Sequence, residues 1–327
     1  MLTAIQESST FYMKLYTKNP VFEHEPKEGI AMTTFNFQAS NEALPTHEVV
    51  IDGIRQAYHI AGEGPVCLVH AGGPGFHWGY MRMPLLEKSM TVIYLEPVGT
   101  GNSENLPDGD YTMSRYAYFA HQVAKHVGAR QPYFLGHSHG GFVGLQYALD
   151  YPDELGGLML YSSAPCMNQE LGMEQVQQLE TFAQRWSDRP EALDAKQAWM
   201  DMITGKATDR EAILNVLKRL MPAFFGNYWT LPAGFDEWQE GLDFSVDPNR
   251  KPYTWDVREV LETIRTATLI LVGEHDFNCG PRWAKEMDER IPASQLKMFE
   301  QGGHMNHVET PQAFVQAVND FVSQTLK

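Results

Sequence analysis

Cysteine is scarce in this chain of 327 residues. There are three, Cys67, Cys166 and Cys279, odd in number and far apart, which argues against a disulfide framework or a zinc knuckle and points to a reduced, cytoplasmic location. Positive charge is also in short supply. Only 25 Lys and Arg stand against 41 Asp and Glu, a formal net charge of -16, and no cationic cluster is present to meet a phosphate backbone or an anionic bilayer. Nucleic acid and membrane are therefore not expected partners, and the acidity reads as solvated surface. Long apolar runs are missing: none approaches the length that spans a bilayer. Residues 1–18 mix Gln6, Glu7, Ser8, Ser9 and Thr10 with scattered apolar residues rather than showing the basic start and apolar stretch of a secretory signal. What is present, 43% hydrophobic and 20% charged residues, is ample for a buried core.

The texture of the chain changes along its length. Residues 1–45 are irregular, with Pro20, Pro26, Gly29 and Pro45 interrupting short aromatic runs, and read as an N-terminal extension. From His47 an apolar run, an Asp52-Gly53 turn and a second run to Ile60 predict a β-hairpin. Short, nearly all-apolar segments then alternate with longer amphipathic ones: 66–69, 91–95, 133–135 and 158–161, with a helix over about 114–127. Continuous apolar strands separated by helices predict a parallel sheet covered on both faces, an α/β fold. Between 163 and 255 no strand is expected; 173–186 and 211–220 carry helical spacing. The alternation resumes with a strand at 268–272, a helix at 281–290, a strand at 295–299 and a helix at 311–322. The expected organisation is thus a core of 46–162 and 256–327 with a helical cap inserted at 163–255.

The chemistry is signalled by Gly136-His137-Ser138-His139-Gly140, directly after an apolar strand and before a helical run. This is the setting that the G-x-S-x-G nucleophile elbow requires, and glycines flank the serine because side chains there would collide in so sharp a turn. A serine hydroxyl needs a base, and the base an orienting acid. Strand 269–272 runs into Gly273-Glu274-His275-Asp276, and the strand ending at Phe299 into Gly302-Gly303-His304, so Asp276 and His304 are the expected acid and base. Glu274 and Glu96 are the competing acids, and His307 the competing base. The oxyanion calls for backbone N–H donors. His139 follows the nucleophile, and the loop His70-Ala71-Gly72-Gly73-Pro74-Gly75 follows the strand 66–69. Gly72, Phe76, His77, Trp78, His137 and Cys166 are expected around the substrate.

Gly72-Gly73-Pro74-Gly75, the elbow at Ser138, the Gly-x-x-Asp of 273–276 and Gly303-His304 resemble the proline iminopeptidase group of α/β-hydrolases over about 47–162 and 256–325. The resemblance implies an eight-stranded, mostly parallel sheet, a helical cap, an oxyanion hole at Gly73 and His139, and hydrolysis of amides or esters with no cofactor. Trp238-Gln239-Glu240 approximates the Trp-Glu pair that holds a free amino terminus in that group. The expected activity is serine hydrolysis of a small to medium, partly apolar ester, lactone or amide through an acyl-enzyme on Ser138. Alternatives are an aminopeptidase of the iminopeptidase type, a cofactor-free dioxygenase or lyase, whose Ser-His-Gly elbows resemble 138–140, and a binding protein without turnover. A metal site among His70, His77, His137, His139, His304 and His307 matches no zinc spacing, and none is expected.

Overall fold

The computed structural model describes residues 42–207, 209–245 and 247–326, and of Glu237 the backbone alone. The extension expected over 1–45 lies outside the described residues apart from 42–45.

β1 (His47–Ile51) and β2 (Ile54–Ala61) pair antiparallel across Asp52 and Gly53, both at positive φ (50° and 82°), as a tight hairpin turn of two residues demands. β3 (Val66–His70), β4 (Thr91–Leu95), β5 (Tyr133–His137), β6 (Gly157–Tyr161), β9 (Thr268–Gly273) and β10 (Ser294–Phe299) complete an eight-stranded sheet in the order β1-β2-β4-β3-β5-β6-β9-β10. From β4 to β10 every pairing is parallel, and β2 runs antiparallel to β4. β5, β6 and β9 are buried at every residue, which is why they read as unbroken apolar runs.

Their side chains still divide by parity. Leu68, Phe134, Leu158 and Ile270 enter one core with α1 (Met113–His126), α2 (His139–Asp150) and α7 (Pro281–Arg290). Val69, Leu135, Met159 and Leu271 enter the other with α9 (Pro311–Thr325). Because β4 and β5 flank β3 on opposite sides, the chain reverses its direction of travel across the sheet beside β3. The carboxyl ends of β3 and β5 therefore border a crevice of the kind in which open α/β sheets bind ligands.

Between β6 and β9 the chain forms α3 (Gln169–Arg185), α4 (Pro190–Ile203), α5 (Arg210–Leu220) and the short α6 (Phe235–Glu240). Asn168 caps α3 by accepting from the amides of Glu170 and Leu171, and Asp209 caps α5 through Ala212. α4 escaped the sequence reading because its buried face is built from small residues, Ala192, Ala195 and Ala198, with little hydrophobic contrast, although Pro190 stands at its first turn. The segment also holds two short strands where none was expected: β7 (Cys166–Met167) pairs antiparallel with β8 (Trp255–Asp256), and two residues are too few to display an alternation. Among the described residues no helix is long and apolar enough to cross a membrane.

Candidate active site

β5 ends at His137 and α2 begins at His139, so Ser138 occupies the turn between them. Its backbone is at φ 54°, ψ -118°, a sparsely populated conformation that costs about 1–3 kcal/mol. The surroundings enforce it. Ser138 N–H donates to Tyr161 O at 2.8 Å, and Ser138 O accepts from Gly141 N–H and Ser163 Oγ, both at 2.9 Å. A Cβ added at Gly136 would lie 2.1 Å from Gly140 O, and one at Gly140 would lie 2.2 Å from His70 O, so backbone contact leaves no room for any side chain at either position. His139 opens α2, and its amide has no carbonyl within the helix to bind. In the facing loop, Gly72 N–H is already engaged by Tyr80 Oη at 2.6 Å, which leaves Gly73 as the next amide.

Asp276 and His304 meet. Both carboxylate oxygens lie 2.9 Å from His304 Nδ1, and Oδ1 also accepts the amides of Asn278 (2.9 Å) and Cys279 (3.1 Å). Burial alone raises the Asp276 pKa, but the charge and hydrogen bond of His304 and the two amides outweigh it and hold the carboxyl below the ordinary carboxylate range. A carboxylate only accepts, so a proton sits on Nδ1, and because the Asn278 amide nitrogen facing Nε2 can only donate, Nε2 presents its lone pair. In this conformation that lone pair accepts from Asn278 Nδ2 at 3.3 Å, and Cys279, which lines the cavity together with Ser138, has its thiol pKa pushed well above the ordinary value by burial. Ser138 and His304 line the same cavity. Resting hydrogen bonds at such sites are commonly long or misdirected and tighten when substrate binds.

Neither competing acid reaches His304. Glu96 is buried 2.7 Å from His59 Nε2 and bonds Asn102, while Glu274 accepts from Gln301 N–H. His307 is buried on the short helix α8 (Asn306–Glu309), 2.9 Å from Tyr80 O and 3.0 Å from Tyr161 Oη. Burial lowers its pKa to about 4, so it is a neutral part of the scaffold.

Beneath the site runs a directed chain of hydrogen bonds. His137 is fully buried, which depresses its pKa well below the ordinary value, with the nearby His304 and His307 adding to the effect. The ring is therefore neutral and carries one proton. Its Nε2 lies 3.0 Å from His304 O, and since a carbonyl only accepts, the proton is on Nε2. Nδ1 must then accept from Tyr80 Oη at 2.7 Å, and that oxygen in turn accepts from Gly72 N–H. The chain ties the glycine loop to the backbone of His304. Glu309 adds a second tie, accepting the amides of Gly303 (2.8 Å) and Gly226 (2.9 Å) and so joining the His304 loop to the segment before α6. Tyr80, Asn278 and Glu309 carried no motif; position 278, two residues past the expected acid, was the one signal that could have drawn attention.

The cavity above Ser138 measures about 360 Å³. Its wall combines the glycine loop, Phe76, Phe142 and Phe224 with Leu171, Trp199 and Leu217 of α3, α4 and α5, and no Asp, Glu, Lys or Arg among the described residues lines it. Of the expected pocket residues, Gly72, Phe76 and His137 line it, and His77, Trp78 and Cys166 lie elsewhere. His77 caps a turn through Gly79 N–H, Trp78 stacks on His59 with centroids 4.1 Å apart, and Cys166 packs in the core at β7. Trp238 is buried and Glu240 exposed, both away from this wall. Among the described residues no group of three or more His, Cys, Asp or Glu could hold a metal.

Residues 64–311 match the family described as the alpha/beta hydrolase fold. The chain is 25% identical to 2-hydroxymuconate semialdehyde hydrolase of Pseudomonas sp. (strain CF600), over 85% of this chain and 93% of that one. It is 26% identical to proline iminopeptidase of Saccharolobus solfataricus, over 82% and 87%. The esterase EaEST from Exiguobacterium antarcticum superposes with a TM-score of 0.64 at 22% identity, over 84% of this chain and 97% of that one.

Proposed function

The chain belongs to the α/β-hydrolase family, and from that premise we propose that it is a serine hydrolase of neutral, largely apolar esters, lactones or amides, with Ser138 as nucleophile, His304 as base and Asp276 as the group that orients it. The observation that carries the reading is the buried Asp276 carboxylate gripping His304 Nδ1 through both oxygens, with His304 lining the cavity that also exposes the strained elbow serine. Nδ1–H pinned to the carboxylate leaves the Nε2 lone pair, met at rest by the Asn278 amide, as the site that takes a proton. Ser138 Oγ gives up its proton as it attacks the carbonyl carbon, the oxyanion is met by the amides of Gly73 and His139, and the imidazolium returns the proton to the leaving group. Water then repeats the sequence on the acyl-enzyme. The helices of 163–255 act as the cap that excludes bulk water.

The uncharged wall supports a neutral substrate. An aminopeptidase must bind an ammonium group and a hydrolase of the 2-hydroxymuconate semialdehyde type a carboxylate, and either charge inside an apolar cavity costs several kcal/mol when unpaired. Apart from the proposed base itself, the ionisable groups on this wall, His137, His139, Tyr80 and Cys279, are all shifted by burial toward their neutral forms. A fluorophosphonate probe is expected to label Ser138, and Ser138→Ala to lose both labelling and ester turnover; wild-type turnover by Ser138→Ala refutes the assignment. Within a substrate panel, neutral acyl esters are expected to outrun prolyl amides bearing a free amine.

A further inference from the structure

In a largely apolar cavity, one carboxamide sits beside the proposed base and a second holds the first in place. Asn278 Nδ2 is 3.3 Å from His304 Nε2. Asn278 cannot swing freely: its Oδ1 accepts from Gln175 Nε2 at 2.8 Å, its backbone carbonyl accepts from the same nitrogen at 3.1 Å, and its backbone amide binds Asp276 at 2.9 Å. Gln175 belongs to α3, so the amide is held from the helical segment on one side and from the acid loop on the other. Gln175, Asn278 and His304 all line the cavity.

We propose that Asn278 is a specificity-determining residue, whose side-chain amide donates to the leaving-group oxygen as that oxygen is protonated by His304. The proposal rests on the serine-hydrolase reading above. In the resting site Asn278 Nδ2–H points at the lone pair of Nε2. Once Nε2 has taken the Ser138 proton it has no lone pair to offer, and the amide hydrogen must find another acceptor. As the tetrahedral intermediate collapses, the carbon–oxygen bond of the leaving group breaks and its electron pair stays on that oxygen, which receives the proton from Nε2. The products of this step are the free alcohol and acyl-Ser138. An oxygen placed to accept from Nε2 is also within reach of a nitrogen 3.3 Å away, so its second lone pair meets Asn278. The hydrogen bond strengthens as negative charge builds on that oxygen. It therefore matters most for alkoxide leaving groups, which accumulate the most charge, and least for nitrophenolate, which spreads its charge over the ring.

The test compares kcat/KM for a 4-nitrophenyl ester and an alkyl ester of one acyl group. Asn278→Ala keeps the backbone bond to Asp276. It is expected to lose about tenfold or more on the alkyl ester and less than about threefold on the nitrophenyl ester. Gln175→Ala, which frees the Asn278 side chain and leaves the Asn278 amide on Asp276, is expected to show the same contrast at smaller size. A residue that merely supports the fold would lower both substrates alike, and equal losses, or none, overturn the proposal. Fluorophosphonate labelling runs in parallel: labelled Ser138 with equal losses strikes this proposal alone, whereas an unlabelled wild-type Ser138 takes the serine-hydrolase reading with it.

Discussion

Tyr80→Phe removes one oxygen from the middle of the buried chain that joins the glycine loop to His304. Phenylalanine keeps the ring and its edge contact with His137, whose centroid lies 5.6 Å away, so packing is conserved and hydrogen bonding is what changes. Two polar groups lose their partner, Gly72 N–H at 2.6 Å and His137 Nδ1 at 2.7 Å. Both lie in the interior, and stranding a buried polar group costs about 1–3 kcal/mol. Since the lost hydroxyl no longer has to be dehydrated, the expected destabilisation is about 2–4 kcal/mol, a large share of the ~5–15 kcal/mol typical of a folded protein. Urea unfolding followed by tryptophan fluorescence is expected to show a lower midpoint with an unchanged slope, the sign of lost stability rather than an altered unfolded state. Catalysis should suffer as well. Gly72 precedes the proposed oxyanion donor Gly73, and His137 fixes the carbonyl of His304, so the variant loosens both halves of the site; kcat is expected to fall about tenfold or more with KM little changed. A midpoint and a kcat equal to wild type would refute the directed chain deduced from the neutral His137.

Asp276→Asn replaces an acceptor with a group that can also donate, which leaves the His304 tautomer free to invert; kcat is expected to drop by about 10³–10⁴ in steady-state assays on an aryl ester while the circular dichroism spectrum is unchanged. A drop below about tenfold would remove Asp276 from its assigned role. Glu309 supplies a pH test. Burial raises its pKa to about 7 despite the amides of Gly303 and Gly226, with Asp276 adding to the rise and Arg185 opposing it. The folded state therefore holds this proton between the ordinary value of 4.5 and about 7, where the unfolded chain has released it. Its contribution to stability is complete below pH 4.5 and is lost as pH climbs through about 7. Urea midpoints at pH 5 and pH 8 are expected to fall for wild type by more than for Glu309→Gln, which cannot titrate; parallel falls in the two proteins would show that Glu309 does not titrate in that window.

Much of the architecture was legible because its signals are local. Fully buried parallel strands must be apolar throughout, so β5, β6 and β9 announced themselves, and a hairpin turn with two positive φ values calls for residues such as Asp52 and Gly53. Legibility failed where local contrast vanished. α4 hides its buried face behind alanines, and β7 and β8 are too short for any period to register. His77 and Trp78 follow the glycine loop in sequence, but the chain turns there and sends Trp78 into the core against His59 and Tyr94, while Tyr80 reaches the cavity instead.

The amino-acid order by itself determined the strand–helix alternation, the position of Ser138 at a turn that only flanking glycines permit, and the succession of serine, aspartate and histidine at strand ends. Each of these depends on neighbours a few positions away, and short-range sterics and periodicity are written directly in the string. The tertiary structure alone decided which groups share a hydrogen bond. Tyr80 and His137 are 57 residues apart, and His137 bonds the backbone of His304 across 167. No local pattern encodes such distances; they emerge when β3 and β5 pair side by side and the helices close over their ends, and the same packing that joins the chain leaves a cavity wall with no Asp, Glu, Lys or Arg among the described residues.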